Sequence, residues 1–245
     1  MSILKVATVT LALCALVAPA AEAQMTWTDQ GFVNVNVGVQ GGSRSLDTST
    51  EFSLYDEPGS LTTTQDVGGG AFFDVSGGYK VWRNLAVGIG FSRVGSEADV
   101  TVSALVPDPL VTDRPRSASA SVGGAQYSEV AVHLSGTWMM PVTDKVDVGF
   151  AFGPTIFLVS QDLPSALAPG DISEPGPTIS QVRLASSDNT TVGVHFGVDA
   201  TYLVTPRIGA GVLVRYSVGS ADLEGATDSL TVGGFQIGGG VRLRF

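Results

Sequence analysis

Two histidines and several carboxylates are the residues with the clearest capacity for chemistry. His133 and His195 are the only histidines in the chain. With Asp199 or Glu129 they could form a zinc site or a general acid–base pair, since imidazole and carboxylate serve in both roles. The spacing does not favour this, because the histidines lie on strands that are not consecutive and no His-x-x-x-His pair occurs. We therefore expect no catalytic residue, no cofactor and no metal ion.

The elements that position these residues show a two-residue repeat. In residues 85–92 every odd position is large and apolar, and every even position is small or polar. The same alternation occurs in residues 33–40, 192–199, 208–212 and 235–245. A period of two predicts β-strands with one apolar face and one face of glycine, small polar or charged residues.

The composition indicates which way the apolar faces point. The chain has 31 glycines, 15% charged residues and a mean hydropathy of +0.28. A soluble sandwich or barrel turns its bulky residues inward and its polar residues to water. Here the face opposite the apolar one is mostly glycine and small polar residues, which suits a narrow lumen. The apolar faces are therefore predicted to contact lipid.

Short and long connections alternate along the chain. Short turns occur at 82–84, 141–144 and 205–206, and long polar segments occur at 41–66, 104–122, 163–188 and 222–229. The predicted strands are 31–40, 67–81, 85–96, 124–140, 145–161, 189–203, 207–220 and 229–245. This pattern predicts an all-β, eight-stranded antiparallel up-and-down transmembrane β-barrel with both ends on the periplasmic side. Parts of the long segments, such as 51–55 and 118–122, extend the strands beyond the bilayer.

Projection of the strands places a set of polar residues in the lumen. They are Asn34, Asn36, Asp74, Lys80, Glu129, His133, Asp147, His195, Asp199, Arg207, Arg215, Gln236, Arg242 and Arg244. We predict a lumen polar network of Asp74, Glu129, His133, His195, Asp199 and Arg215, because buried charges are costly unless they are paired. Arg215 could pair with Asp74, Glu129 or Asp199, and a gated salt bridge that allows weak ion leakage is an intermediate alternative.

Aromatic residues cluster beside the short turns. Tyr79, Trp82, Trp138 and Tyr202 are predicted to form an interfacial aromatic girdle, since such rings prefer the boundary between lipid and water. At the other end, Tyr127, Phe157 and Tyr216 are predicted to form the external girdle.

The N-terminal residues predict export. A short lysine-containing start is followed by an apolar run over 6–20 and by Ala21-Glu22-Ala23. This order predicts a signal peptide over 1–23 and a barrel domain over 24–245. A lipoprotein signal at Cys14 is the rival interpretation, although Cys14 lies inside the apolar run. Cys14 is the only cysteine, so the exported chain would have none.

The last strand ends with Gly238-Gly239-Gly240-Val241-Arg242-Leu243-Arg244-Phe245. With the strand rhythm and turn spacing, this ending resembles the small outer-membrane barrels of the OmpA, OmpX and OmpW type. The resemblance implies a C-terminal assembly signal at Val241, Leu243 and Phe245, read by the barrel-assembly machinery after delivery by periplasmic chaperones. The peptidoglycan-binding domain of OmpA-like proteins is not expected here.

The sequence leaves three functions open. We favour a structural or surface-interaction barrel in the bacterial outer membrane, with membrane lipid as a partner and an unspecified ligand at the loops. A narrow pore or, as the OmpW resemblance implies, a hydrophobic-solute channel is the alternative, and a membrane-embedded lipid hydrolase or acyltransferase is the third. A net charge of -10 disfavours nucleic acid as a partner.

Overall fold

The computed structural model describes residues 25–245 except 43, 55, 109, 112–113, 170–178 and 222–229. The predicted signal peptide over 1–23 lies outside the described residues. The described strands are β1 (Gly31–Gly41), β2 (Arg44–Leu54), β3 (Glu57–Val67), β4 (Gly70–Trp82), β5 (Leu85–Val106), β6 (Arg116–Thr143), β7 (Val146–Pro169), β8 (Ile179–Leu203), β9 (Ile208–Ala221) and β10 (Leu230–Arg244). In the part of the chain that is described, no helix is long and apolar enough to cross a membrane.

Eight of these strands form a closed antiparallel ring. The order around the ring is β1, β4, β5, β6, β7, β8, β9 and β10, and β10 pairs again with β1. Apart from the excursion through β2 and β3, each strand pairs with the next one along the chain. The predicted eight-stranded antiparallel up-and-down barrel is confirmed. Its second strand begins at Gly70 rather than at residue 67.

The long polar segment over 41–66 is a β-hairpin rather than an irregular loop. Strands β2 and β3 pair along their whole length, and Asp56 adopts a φ of 61° at the turn between them. Strand β3 then pairs with the outer part of β5, from Ser60 opposite Leu105 to Val67 opposite Ala98. The run of threonines in β3 explains this, because β-branched residues favour strands even where all their neighbours are polar. Residues 51–54 therefore belong to the hairpin and do not prolong a strand of the ring.

The seam between the first and last strands closes the barrel. Residues pair from Phe32 opposite Arg244 to Gly41 opposite Phe235. At the end of the seam, the Gly31 N–H donates to the Phe245 carbonyl at 2.8 Å, and the Phe245 N–H donates to the Gly31 carbonyl at 3.1 Å. Closure removes the free strand edges that a sheet in hydrocarbon could not satisfy.

The outer surface carries a continuous apolar belt. At the level of the short turns its exposed members include Val81, Trp82, Tyr202, Ile208 and Phe245. At the opposite edge of the belt, toward the long connections, the exposed members include Val39, Phe73, Phe91, Leu158, Val192, Tyr216 and Phe235. Along β7 the belt runs from Val148 to Leu158, a rise of about 25 Å for a strand tilted by about 40°. This height matches the apolar band of outer-membrane barrels.

The belt predicts where a charge is tolerated. Val212 lies near the middle of the belt and Val142 lies beside a short turn, and their side chains are similarly exposed at 50% and 51%. Val212→Arg should lower the free energy of unfolding in phospholipid vesicles by about 2–4 kcal/mol, and Val142→Arg by about 0–1 kcal/mol. Denaturant titration of both variants measures the difference. Equal losses would contradict the placement of the belt in hydrocarbon.

Candidate functional site: the barrel interior

The inward faces of the ring bury a set of polar and charged side chains. From the short-turn end upward they form an arginine layer, a histidine layer and a layer around Arg215. The buried members include Asn34, Asn36, Gln40, Asp74, Ser92, Glu129, His133, Asp147, Thr155, His195, Thr201, Arg215, Gln236, Arg242 and Arg244. The alternation of each strand places them there, because consecutive side chains point to opposite faces of a sheet.

Arg242 and Asp199 form the first pair of the arginine layer. Arg242 Nε donates to Asp199 Oδ1 at 2.9 Å, and Arg242 Nη2 donates to Asp199 Oδ2. This is a bidentate contact, the strongest form of this ion pair. Gly211 lies beside the guanidinium, and a Cβ atom there would come within 2.6 Å of Arg242 Nε. A glycine at this position therefore makes room for the arginine.

Arg244 holds the other side of the same layer. Its Nη1 donates to Asn34 Oδ1 at 3.1 Å and its Nη2 donates to Thr201 Oγ1 at 2.9 Å. Asp147 Oδ2 lies 3.8 Å from Arg244 Nε. The guanidinium thus links residues of four strands, β1, β7, β8 and β10.

The two histidines meet in the layer above, although their strands are separated by β7. Their ring centroids lie 4.8 Å apart. Thr155 Oγ1 lies between them, 2.9 Å from His133 Nδ1 and 2.9 Å from His195 Nδ1. The other two ring nitrogens extend this row of hydrogen bonds. His133 Nε2 shares a 3.0 Å hydrogen bond with Ser92 Oγ, and His195 Nε2 shares one of 3.0 Å with Ser135 Oγ.

Arg215 pairs with Asp74, one of the three carboxylates considered from the sequence. Arg215 Nη2 donates to Asp74 Oδ2 at 2.8 Å, and Arg215 Nε donates to Gln236 Oε1 at 2.8 Å. Asn36 Nδ2 donates to Asp74 Oδ1 at 2.9 Å, so both carboxylate oxygens have a partner. Gln236 in turn donates to Gln40, which donates to the Gly233 carbonyl.

Glu129 belongs to a neighbouring group around Tyr127 and Gly233. The Tyr127 hydroxyl donates to Glu129 Oε2 at 2.6 Å, and the Gly233 N–H donates to the same oxygen at 2.9 Å. Gly233 has a φ of 89°, a conformation that glycine adopts without strain. This irregularity in β10 turns its N–H toward the carboxylate.

An apolar group fills the interior at the external end. Its buried members are Val67, Val100, Val102, Ala125, Tyr127, Ala131, Phe157, Val159, Ala221, Leu230 and Val232. Tyr127 and Phe157 were predicted in the external girdle, and that prediction is wrong, because they are 2% and 0% exposed. The alternation in the sequence already indicated this position. Tyr127 is an even number of residues from the inward Glu129, and Phe157 is an even number of residues from the inward Asp147, so each pair shares a face of its strand. Tyr216 does face outward and is 53% exposed.

The described histidines and carboxylates of the interior contact hydroxyl groups, amides and arginines. Among the described residues, no three His, Cys, Asp or Glu side chains are grouped to hold a metal ion. Asp199 contacts Arg242 rather than His195, and all four imidazole nitrogens contact hydroxyl groups. A cavity of about 60 Å³ lies beside the histidines, which is room for a few water molecules.

The other sequence-predicted residues lie on the outside or at the short-turn end. Tyr79, Trp82, Trp138 and Tyr202 are 57%, 60%, 37% and 54% exposed. Val241, Leu243 and Phe245 also face outward, at 51%, 40% and 59%. Lys80 turns to the N-terminal segment, where its Nζ donates to the Trp27 carbonyl at 3.1 Å. Arg207 is exposed in the turn before β9, so its predicted lumen position is wrong.

No protein-family model and no curated protein sequence matches this chain. Solved structures do match it. The outer membrane protein OprG from Pseudomonas aeruginosa is 10% identical with a TM-score of 0.51, and the match covers 89% of this chain and 96% of OprG. The chain shares the fold of OprG.

Two further structures match with lower scores. Neisserial surface protein A is 12% identical with a TM-score of 0.45, over 88% of this chain and 97% of that protein. The outer membrane protease OmpT from Escherichia coli is 11% identical with a TM-score of 0.43, over 91% and 99%. At 10% identity the match to OprG shows the fold alone, and the activity has to be inferred from the interior itself.

The buried ion pair predicts a large effect of removing one partner. Arg215→Met leaves the Asp74 carboxylate buried without its cation, and should lower the free energy of unfolding by about 3–5 kcal/mol. Adding Asp74→Asn should recover part of the loss, because the remaining group is neutral. Arg83→Met in an exposed turn is the control, with an expected change within about 0.5 kcal/mol. Equal losses of unfolding free energy in Arg215→Met and Arg83→Met would show that Arg215 is not held by a buried partner.

The histidine layer predicts a smaller effect. Thr155→Val keeps the shape of the side chain but removes the hydroxyl between the two imidazoles, leaving buried ring nitrogens without a partner. We expect a loss of about 1–3 kcal/mol in unfolding free energy. Thr190→Val on the exposed outer face is the matched control. Indistinguishable stabilities for the two variants would refute the bridging role.

Proposed function

We propose that the chain is an outer-membrane β-barrel with a closed interior and a structural or surface-interaction role. The observation that carries the proposal is the buried Arg215–Asp74 ion pair, whose side chains are 6% and 0% exposed and which spans the interior between β4 and β9. A water-filled channel would hydrate these charges, whereas here they contact each other and neighbouring amides. The apolar group at the external end adds a second closure.

The proposed location is the bacterial outer membrane. The apolar belt, the fold shared with OprG and the export signal predicted over 1–23 all support it. In this location Tyr79, Trp82, Trp138 and Tyr202 would form the girdle that contacts lipid headgroups. Membrane lipid is therefore the first partner we propose.

Assembly is proposed to depend on the outward side chains of the last strand. Val241, Leu243 and Phe245 project from β10, the strand that closes the seam with β1. A strand recognised before closure has to present its side chains on an accessible face, and these three do so. Periplasmic chaperones and the barrel-assembly machinery are the partners proposed for this step.

The surface role rests on the part of the barrel beyond the belt. There the hairpin β2–β3 and the outer part of β5 present exposed carboxylates, including Asp47, Glu51, Asp66, Glu97 and Asp99. Such a surface favours cationic partners over anionic ones. The same proposal assigns no catalytic activity, because the hydroxyl–imidazole pairs of the interior are buried: Ser92 and His133, for example, are 2% and 1% exposed.

A second candidate is the passage of apolar solutes, and one observation favours it. The external half of the interior is filled by apolar side chains such as Tyr127, Phe157 and Val232, which would contact an apolar solute if they separated. Opening of this group would create an apolar chamber above the polar layers. Uptake of a lipophilic dye into proteoliposomes, compared between the native chain and Phe157→Ala, tests this function directly.

Conductance separates the closed barrel from a pore. The purified native chain in planar bilayers should give no stable unitary currents, because the ion pair and the apolar group block the interior. Phe235→Ala, which shortens an outward aromatic side chain, is the control and should stay silent as well. Stable unitary currents from the native chain would contradict the closed barrel and favour transport.

A further inference from the structure

The N-terminal segment, residues 25–30, folds into the short-turn end of the barrel. Trp27 precedes the first strand, yet it is only 2% exposed. Segments that lie outside strands and helices are usually exposed on the surface. A large aromatic side chain buried at this position therefore needs an explanation.

The indole is held by apolar contacts and by a cation. It belongs to one buried group with Phe32, Ala86 and Met139, and its ring centroid lies 6.4 Å from that of Phe32. Lys80 Nζ lies 5.6 Å from the Trp27 ring centroid, within the range of a cation–π interaction. These partners come from β1, β4, β5 and β6, so the indole contacts much of the circumference.

The backbone of the segment is held by two side chains near the β4–β5 turn. The Trp27 N–H donates to Asn84 Oδ1 at 3.1 Å, and Asn84 Nδ2 donates to the Met25 carbonyl at 3.2 Å. Lys80 Nζ donates to the carbonyls of Trp27 and Thr28 at 3.1 and 3.2 Å. Asn84 thus acts as both acceptor and donor toward a segment that lies outside the strands of the ring.

The indole separates two spaces. Above it, Phe32 and Met139 line the interior cavity of about 60 Å³ that also reaches His133, His195 and Arg215. Below it, Trp27 lines a vestibule of about 400 Å³ that is open to the periplasmic side. The vestibule is otherwise bounded by the turns after β6 and β8. Trp27 packs against Phe32 and Met139, so the indole lies between the vestibule and two side chains that line the cavity.

The indole N–H leaves part of the cost of burying Trp27 uncompensated. Among the described residues, Trp27 Nε1 has no hydrogen-bond acceptor. Burial of an unpaired N–H costs free energy, which offsets part of the gain from the apolar contacts. Water would hydrate the N–H if the segment were released, so the free energy that holds the segment is smaller than its apolar contacts alone would give.

We propose that the N-terminal segment is a plug of the barrel interior, with Trp27 at its centre and Lys80 and Asn84 as its anchors. It seals the cavity beside the histidines from the periplasm, and its withdrawal would open that cavity to periplasmic water and small solutes. This proposal rests on the closed interior proposed above, and it adds the element that closes the periplasmic end.

Cysteine accessibility tests the plug. Cys14 is the only native cysteine, so Cys14→Ser gives a background without thiols. Thr137→Cys then places one thiol on the cavity wall, at a position that is 6% exposed. The full chain is expressed, purified from membranes and treated with neutral iodoacetamide, and alkylation is followed by mass spectrometry. Thiol reactivity follows exposure, so the rate reports access to the cavity.

We expect slow alkylation in the native background and a rate about tenfold higher or more with Trp27→Ala, as expected for a thiol that becomes exposed. Trp82→Ala removes an outward tryptophan at the same end and should leave the rate unchanged. Should Trp27→Ala fail to fold, Asn84→Ala keeps the indole but removes two anchoring hydrogen bonds, and it should raise the rate to a smaller extent.

The outcomes separate the plug from the closed interior. Slow alkylation that stays slow in both Trp27→Ala and Asn84→Ala would overturn the plug and leave the closed interior intact. Fast alkylation with the native Trp27 present would contradict the closed interior itself. An increase in Trp27→Ala that equals the increase in Trp82→Ala would also overturn the plug, because it would reflect a general loosening of that end.

Discussion

Complete pairing of backbone N–H and C=O groups is the constraint on which the rest of this structure depends. Hydrocarbon offers no hydrogen-bond partners, so a sheet in lipid has to close on itself. The seam between β1 and β10 achieves this, and it ends with mutual hydrogen bonds between Gly31 and Phe245. Closure with eight strands fixes a narrow interior, and the outward apolar belt follows from the same alternation that turns the polar faces inward.

The narrow interior explains the chemistry found there. Charged side chains in a space with few waters have to contact partners of opposite charge or hydrogen-bonding groups. Arg215 with Asp74 and Arg242 with Asp199 satisfy this requirement, and the hydroxyl of Thr155 satisfies it for the two histidines. The groups that resemble a catalytic or metal-binding set are therefore used to hold strands together.

Alternation in the sequence predicts the ring, and it predicts which polar side chains point into the barrel, because the face on which a side chain lies depends only on its position along its own strand. It does not predict which inward residues meet, since contacts across the barrel depend on the stagger between strands. The separation of His133 and His195 along the chain gives no indication that they meet, yet they lie in one layer. The β2–β3 hairpin is not predicted because its polar composition is typical of loops. The burial of Trp27 is not predicted because this residue lies before the first alternating segment.

Fluorescence quenching by brominated phospholipids tests most directly that the apolar faces contact lipid. The chain has three tryptophans, of which Trp82 and Trp138 are 60% and 37% exposed on the belt, and Trp27 is 2% exposed in the interior. In vesicles, single-tryptophan chains that keep Trp82 or Trp138 should be strongly quenched, and the chain that keeps Trp27 should not. Quenching of Trp27 alone, or equal quenching of all three, would contradict the lipid-facing orientation of the belt.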